Sequence, residues 1–174
     1  EDGIRDYKVT GVQTCALPIL LRVQVKLSDD WTVVPYLWAI DNKDAPALSS
    51  TTFGARVTGK AEFAGGKLDL VAELATQSDA ANNPVSYDAE YWHAGATWTM
   101  ENGLSLGLAF DSLGGDENVS GASLQTPLAT LHAHQGWADK FLVTPPAGLE
   151  DLYFSLSAKV SAGRATAEPK THFL

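Results

Sequence analysis

The stretch TTFGARVTGKAEFAGGKLDLVAELAT, residues 51–76, consists of two alternating segments joined by a glycine-rich turn. In both segments every second residue is apolar or small, and most of the residues between are polar or charged. Successive side chains of a β-strand point to opposite faces, so this period of two predicts a hairpin with one apolar and one polar face. The predicted apolar face carries Phe53, Ala55, Val57, Gly59, Ala61, Phe63, Leu68, Leu70, Ala72 and Leu74.

The same alternation continues through residues 91–100, 104–111 and 151–160. The predicted connections between strands alternate in length along the chain. Short turns rich in Gly, Asn and Asp are typical of hairpins, whereas long polar connections need a rim where they do not disturb pairing. Short turns at one end and long loops at the other are the layout of an outer-membrane barrel. The short turns are 28–30, 64–66, 101–103 and 161–163, and the long loops are 41–50, 78–86 and 113–149.

Strand length gives an independent indication of the fold class. A tilted membrane strand needs about 9 to 11 residues, while a usual strand has about 5 or 6. Phe53 and Phe63 bracket one apolar face, and at about 3.3 Å per residue and about 40° of tilt they span roughly 25 Å, the height of a membrane barrel's apolar band. We therefore predict an all-β, antiparallel, up-and-down transmembrane β-barrel, present in residues 20–174 as a partial barrel or curved sheet of about eight strands.

Length and charge narrow the possible functions. A chain of 174 residues can form one domain with a sizeable core. Its 12 basic and 21 acidic residues give a net charge of -9, which argues against nucleic acid as a partner because phosphate binding needs a clustered basic surface. No run of 18 apolar residues occurs, so no membrane helix is predicted, which leaves membrane strands open.

The first 19 residues, EDGIRDYKVTGVQTCALPI, do not share the alternating pattern. They lack a basic segment followed by a sufficient apolar run, so they do not predict a signal peptide. The halves EDGIRD and VTGVQTCALPI resemble the conceptual translation of an adapter used in short-read DNA sequencing. We expect residues 1–19 to lie outside the fold and 20–174 to form it. Cys15, the single cysteine, falls in the excluded part, which leaves no disulfide or thiolate metal site in the rest.

Two stretches carry a family resemblance: LSSTTFGARVTGKAEF (48–63) and TPLATLHAHQGWADKFLVTPPAGLEDLYFSLSAK (126–159). With the hairpins between them, residues 31–168 resemble the alginate export family of porin-like proteins in the outer membrane of Gram-negative bacteria. The resemblance implies a single-chain barrel surrounded by outer-membrane lipid, with a polar lumen that passes polysaccharide or small polar solutes. It implies no enzyme chemistry and no cofactor.

The sequence departs from the family pattern in three respects. The N-terminal part of a complete barrel is missing, and the terminal stretch RATAEPKTHFL loses its alternation at Pro169, so we expect a fragment of a longer protein. The charges on the predicted polar face are also mixed, whereas an exporter of an anionic polymer would need a mainly cationic lumen. This mixture speaks against alginate as the solute.

The predicted solute-contacting residues fall into two groups. The first lines the lumen wall, where bases are expected to face acids across the pore; it comprises Arg56, Lys60, Glu62, Lys67, Asp69, Glu73 and Lys159. The acids Asp111 and Asp151 are also expected to point inward. The second lies in the segment 113–149, which is too long and too rich in apolar residues to remain in water. We predict that this segment folds inward and narrows the pore, with Trp137, Asp139 and Lys140 touching the solute.

Other functional classes remain as alternatives. A soluble carbohydrate-binding β-sandwich would use Trp92, Trp98 and Trp137 as a stacking platform for sugar rings, and an interaction or structural protein needs no lumen. The pair His132 and His134 has no third ligand at fixed spacing, and no G-x-S-x-G nucleophile motif occurs, so no metal site and no enzyme are predicted. The aliphatic side chains of 104–110 separate the first alternative from a barrel, because they point into a core in a sandwich and toward lipid in a barrel.

Overall fold

The computed structural model describes residues 16–128, 143–158 and 170–173. All their strands belong to a single antiparallel sheet in which neighbours in sequence pair from β3 to β9, while β1 and β2 both pair with β3. The predicted all-β, antiparallel, up-and-down sheet of about eight strands is confirmed. Within the described residues the sheet is open, with β1 and β9 at its two edges. The elements are β1 Ala16–Arg22, β2 Val25–Lys26, β3 Trp31–Asn42, a 3₁₀ helix Pro46–Leu48, β4 Ser50–Phe63, β5 Gly66–Asp79, β6 Asp88–Met100, β7 Leu104–Leu113, β8 Leu149–Ala158 and β9 Lys170–Phe173.

No helix in the described ranges is long and apolar enough to cross a membrane.

Strands β1 and β2 are two parts of one strand that is interrupted opposite Pro35. Both pair with β3 in the same register, and between them the Val23 amide donates to the Pro35 carbonyl oxygen at 3.1 Å. Proline has no N–H to return this bond, so the ladder loses one rung there. Strand β1 begins at Ala16, four residues before the boundary expected at residue 20, and residues 16–19 pair with 39–42.

The connections alternate between short and long, as the sequence predicted. The turn 64–65 has two positive φ angles, 48° at Ala64 and 69° at Gly65, which is the type I′ geometry of a two-residue hairpin. Because successive strands run antiparallel, the short turns 27–30, 64–65 and 101–103 all lie at one end of the sheet, here called the short-turn end. The connections 43–49, 80–87 and 114–148 lie at the opposite, long-loop end. The turn predicted at 161–163 lies outside the described residues.

The two faces of the sheet differ in chemistry and in burial. One, the apolar face, brings together residues such as Val57, Ala72, Ala94 and Phe110, each opposite the next on the neighbouring strand. Its large side chains are exposed, with Phe53 at 62%. The other, the polar face, is the more shielded one and also carries the compact core at the long-loop end, formed by Tyr87, Ala89, Leu113, Ala122 and Leu124. This distribution is the reverse of the usual one in globular proteins, where apolar residues are inside.

Gly54 makes room for an aromatic ring on the polar face. It lies directly opposite Tyr36, and a Cβ atom at this position would stand 2.5 Å from the Tyr36 Cζ and hydroxyl oxygen atoms and 2.8 Å from the Ala75 Cβ. The Tyr36 ring therefore lies flat over the glycine, which brings its hydroxyl group toward β5. Any side chain at residue 54 would have to push the ring away.

Replacing Gly54 by valine is expected to lower the free energy of unfolding by about 1–3 kcal/mol, because the added side chain overpacks this contact. The measurement is denaturant unfolding of the folded protein. Thr58→Val provides the control, since Thr58 lies on the same strand and face but is exposed. Equal stability of the two variants would contradict the role given to Gly54.

Candidate functional site

Five ionisable residues form a continuous row across the polar face. Each lies directly opposite the next on neighbouring strands, from β4 to β8. Directly opposed residues have Cβ atoms about 4.5–5.5 Å apart, so the groups act on one another. This ionisable row consists of Arg56, Glu73, His93, Asp111 and Asp151.

Glu73 is held between a phenol and a guanidinium group. The Arg56 Nη1 atom lies 2.7 Å from the Glu73 Oε2 atom, and the Tyr36 hydroxyl donates to the Glu73 Oε1 atom at 2.7 Å. The Glu73 side chain is only 12% exposed, whereas the Arg56 side chain is 42% exposed. Both carboxylate oxygens are thus fixed by charge-assisted or phenolic hydrogen bonds, and the guanidinium is the part of the pair that faces open space.

Asp111 is held in a similar arrangement one hairpin further along. The Tyr91 hydroxyl donates to the Asp111 Oδ1 atom at 2.8 Å, and the His93 Nδ1 atom lies 2.8 Å from the same oxygen. A carboxylate only accepts, so the Nδ1 atom carries the proton in this contact. The row therefore contains two carboxyl groups, those of Glu73 and Asp111, that are each held by one tyrosine hydroxyl and one nitrogen-containing side chain.

The row becomes acidic toward β8. Arg56 compensates the charge of Glu73, while Asp111 lies directly opposite Asp151, whose exposed fraction is only 2%. Two carboxyl groups thus lie side by side at this end, where like charges on directly opposed positions are unfavourable. The row consequently has a basic start on β4 and an acidic end on β7 and β8.

A cavity of about 470 Å³ lies on the long-loop side of the row, under the segment 124–128. Its walls combine aromatic, aliphatic and polar groups, including Arg56 and Glu73 of the row. Tyr36 and Trp38 stack in this wall with ring centroids 4.7 Å apart. Strands β1 and β3–β7 all contribute residues, among them Leu20, Trp38, Thr52, Ala75, Tyr91 and Leu113. The segment therefore reaches across most of the width of the polar face.

A second cavity of about 500 Å³ lies on the short-turn side of the same face. His93 of the row lines it, together with Lys60, Asp69, Thr97 and Tyr153. The ionisable row thus separates two open spaces on one face. A solute that moves along the strands from one space to the other has to pass the row.

The structure places the described wall residues on the polar face. Lys60 lies directly opposite Asp69, Glu62 opposite Lys67, and Arg56 opposite Glu73. The register thus sets each of these bases beside an acid on the neighbouring strand, and the expectation that bases face acids across a lumen stays a prediction. Lys159, Trp137, Asp139 and Lys140 lie outside the described residues, as do His132 and His134.

The alternation of the sequence places His93, Asp111, Asp151 and Tyr91 on the polar face, but sequence reasoning missed the contacts that join them in the row. It also did not single out Tyr36. The available signal was the turn 101–103, which fixes His93 opposite Asp111 within one hairpin. No comparable signal links this hairpin to the neighbouring strands.

Gln77 and Tyr87 connect the wall to the long segment after β7. Burial raises the pKa of Tyr87 to about 12, and the Asp79 carboxylate acts in the same direction. The phenol is therefore protonated at neutral pH and donates to the Gln77 Oε1 atom at 2.9 Å. Gln77 in turn bonds to the backbone of Gln125. The described part of the segment thus folds over the polar face, the direction that the sequence predicted for residues 113–149.

Among the described residues no group of three or more His, Cys, Asp or Glu side chains is placed to hold a metal ion. Comparison of the chain with models of protein families, with curated proteins and with solved structures finds no match.

Proposed function

We propose that this chain forms part of the wall of an outer-membrane channel, a porin-like or exporter-like β-barrel of a Gram-negative bacterium. Polysaccharide or small polar solutes would pass along the polar face, and lipid would cover the apolar face. The observation that carries the proposal is the inverted burial of the sheet, with exposed apolar side chains on one face and shielded charged side chains on the other.

At the long-loop end, the residues of the apolar face change from apolar to polar within two positions on each strand. Between its ends no charged residue of β1–β8 lies on this face, as expected for strands in contact with hydrocarbon. On each strand from β3 to β8 the last apolar residue is followed, two positions toward the long loops, by a polar one. These polar residues are Asp41, Thr51, Thr76, Glu90, Ser112 and Glu150.

Aromatic residues lie near both ends of the apolar face. Phe53 and Trp92 lie toward the long-loop end, and Phe63 and Trp98 lie near the short turns. The Trp98 indole donates its Nε1–H to the Phe63 carbonyl oxygen at 2.9 Å, and the two rings meet edge to face at 6.1 Å. The indole rings of Trp92 and Trp98 have one polar and one apolar side, which suits the interface between hydrocarbon and headgroups. Their positions support two aromatic girdles.

The polar face supplies a transverse charge gradient for solutes. Four bases lie on β1–β4 and five acids on β5–β8, while Glu62 and Lys67 are opposed near the short-turn end. Charged rings and gradients of this kind set selectivity in pores, because a passing dipole or ion aligns with the field. The bases are Arg22, Lys26, Arg56 and Lys60, and the acids are Asp69, Glu73, Asp79, Asp111 and Asp151.

These observations give less support to the alternative function, a soluble carbohydrate-binding β-sandwich. It needs a second sheet over the apolar face, whereas all strands of the described ranges belong to one sheet, and Leu108 remains 56% exposed. Trp92 and Trp98 lie six residues apart on β6, roughly 20 Å at about 3.3 Å per residue. They therefore stand at opposite ends of the strand and do not form one compact stacking platform.

Refolding the purified chain into lipid vesicles and fusing them with a planar bilayer tests the proposed function. We expect stepwise ionic conductance and a β-sheet circular dichroism spectrum that depends on lipid or detergent. A chain that reaches the same β-sheet state in aqueous buffer alone, and that gives no conductance in the bilayer, would contradict the proposal.

A further inference from the structure

We propose that Gln77 is the positioning residue that holds residues 122–128, the crossing segment, over the polar face and thereby sets the width of the opening beside the ionisable row. The consequence for transport rests on the proposed channel function. The placement of the segment does not, so the two can fail separately.

The Gln77 side chain uses its full hydrogen-bonding capacity. Its amide nitrogen donates to the Gln125 carbonyl oxygen and to the Thr52 Oγ1 atom, each at 2.9 Å. Its amide oxygen accepts from the Gln125 backbone N–H at 2.7 Å and from the Tyr87 hydroxyl at 2.9 Å. A primary amide offers two donors and a carbonyl oxygen with two lone pairs, so all four positions are filled. The residue is only 3% exposed.

The partners also fix the orientation of this amide. The Gln125 backbone offers one donor and one acceptor, and these can be matched only if the Gln77 oxygen faces the N–H and the nitrogen faces the carbonyl. The side chain thus imitates the peptide unit of a neighbouring strand. It extends the hydrogen bonding of β5 to a segment that lies 48 residues later and outside the sheet.

The beginning of the crossing segment has its own attachment. The Leu124 amide donates to the Gly114 carbonyl oxygen at 2.9 Å, and the Ser123 hydroxyl donates to the Thr144 carbonyl oxygen at 3.1 Å. Ala122 and Leu124 belong to the core at the long-loop end. These contacts hold the segment near the end of β7, whereas Gln77 is its hydrogen-bonded contact with β5.

The part beyond Gln125 forms the roof of the cavity next to the row. Thr126, Pro127 and Leu128 line this cavity together with Leu20 and Trp38 from the opposite side of the sheet. Without Gln77 the roof loses its support on β5 while the base of the segment keeps its attachment. The opening along the polar face is then expected to widen.

Chemical labelling of a cysteine in the roof tests the placement. In a Cys15→Ser background, Thr126→Cys puts a thiol at a half-buried position of the roof, adjacent to Gln125. With the protein folded in detergent micelles, we expect Gln77→Ala to raise the rate of maleimide labelling at least about threefold, since two hydrogen bonds to Gln125 are lost. Gln24→Ala is the matched control, because Gln24 is an exposed glutamine of the same chain, and it should leave the rate unchanged. An unchanged rate in Gln77→Ala would overturn the proposal.

A second variant, Gln77→Glu, allows the test to be made even if Gln77→Ala does not fold. Gln77→Glu keeps the size and both acceptor positions of the side chain, but as a carboxylate it cannot donate to Gln125 or Thr52. If Gln77→Ala reduces the β-sheet signal in circular dichroism, Gln77→Glu should still show faster labelling with the parental signal. Labelling at the parental rate in this variant would equally overturn the proposal.

Single-channel recording separates this inference from the proposed function. We expect larger unit conductance for Gln77→Ala than for Gln24→Ala. Absence of channels in every variant would contradict the channel function and leave the labelling result to decide the role of Gln77. Channels of equal conductance, together with equal labelling, would contradict the role of Gln77 alone.

Discussion

Replacing Val57 by arginine is expected to prevent most of the chain from folding into lipid vesicles, whereas Thr58→Arg leaves folding nearly unchanged. The two residues are neighbours in the middle of β4 and point to opposite faces. Val57 lies on the apolar face between Val33 and Ala72, and Thr58 is exposed on the polar face. An arginine on the lipid side of a membrane barrel costs about 2–4 kcal/mol near the bilayer midplane, while a lumen position tolerates it.

The measurement is the fraction of folded protein in vesicles as a function of urea concentration, followed by the shift of the folded band in electrophoresis. Equal tolerance of both variants would contradict a lipid-facing apolar face. A parent chain that folds fully in buffer without lipid, and loses this state in Val57→Arg, would favour the soluble sandwich.

If the chain forms the proposed channel, replacing Glu73 by glutamine is expected to shift its selectivity toward anions. The introduced amide would still accept the hydrogen bond from the Tyr36 hydroxyl, but the guanidinium of Arg56 would lose its counter-charge. In a water-like medium, a unit charge changes the free energy of an ion about 5 Å away by about 0.8 kcal/mol. This corresponds to about a fourfold change in the ratio of anion to cation permeability. Arg56→Gln should shift the ratio by a similar factor toward cations, because Glu73 then stands without its base.

Reversal potentials in a potassium chloride gradient measure both shifts. Glu101→Gln is a suitable control, since this exposed carboxylate lies in the turn 101–103 away from the row. The double variant Arg56→Gln/Glu73→Gln should return close to the parental ratio. Shifts of both single variants in the same direction would contradict the assignment of the ion pair to the solute path.

Much of the fold follows from local sequence. The period of two gives the strands and their faces, and the tight turns give the register within a hairpin. The turn 64–65 places Arg56 opposite Glu73, and the turn 101–103 places His93 opposite Asp111. Local chemistry therefore predicts both halves of the row separately.

The alignment of the two halves is not predictable from local sequence. Glu73 and His93 belong to hairpins joined by the long connection 80–87, and a connection of this length fixes no register. A slip by two residues would preserve both faces and still move the Arg56–Glu73 ion pair out of line with the His93–Asp111 hydrogen bond. The contact between Gln77 and Gln125 depends on the same tertiary arrangement, since 48 residues separate the partners. These features arise from packing and hydrogen bonds that connect different hairpins.

The alternation of short and long connections also determines the order in which the sheet can assemble. Closing a two-residue turn orders little chain, and isolated hairpins form within about 1–10 μs, whereas longer loops cost more entropy to close. The hairpins β4–β5 and β6–β7 can therefore form independently of each other, before the rest of the sheet is assembled. Their docking, which sets the register between Glu73 and His93, is then the late event in folding. The continuous ionisable row, and with it the proposed solute path, exists only after this last step, so the half-assembled protein is a set of hairpins without the row.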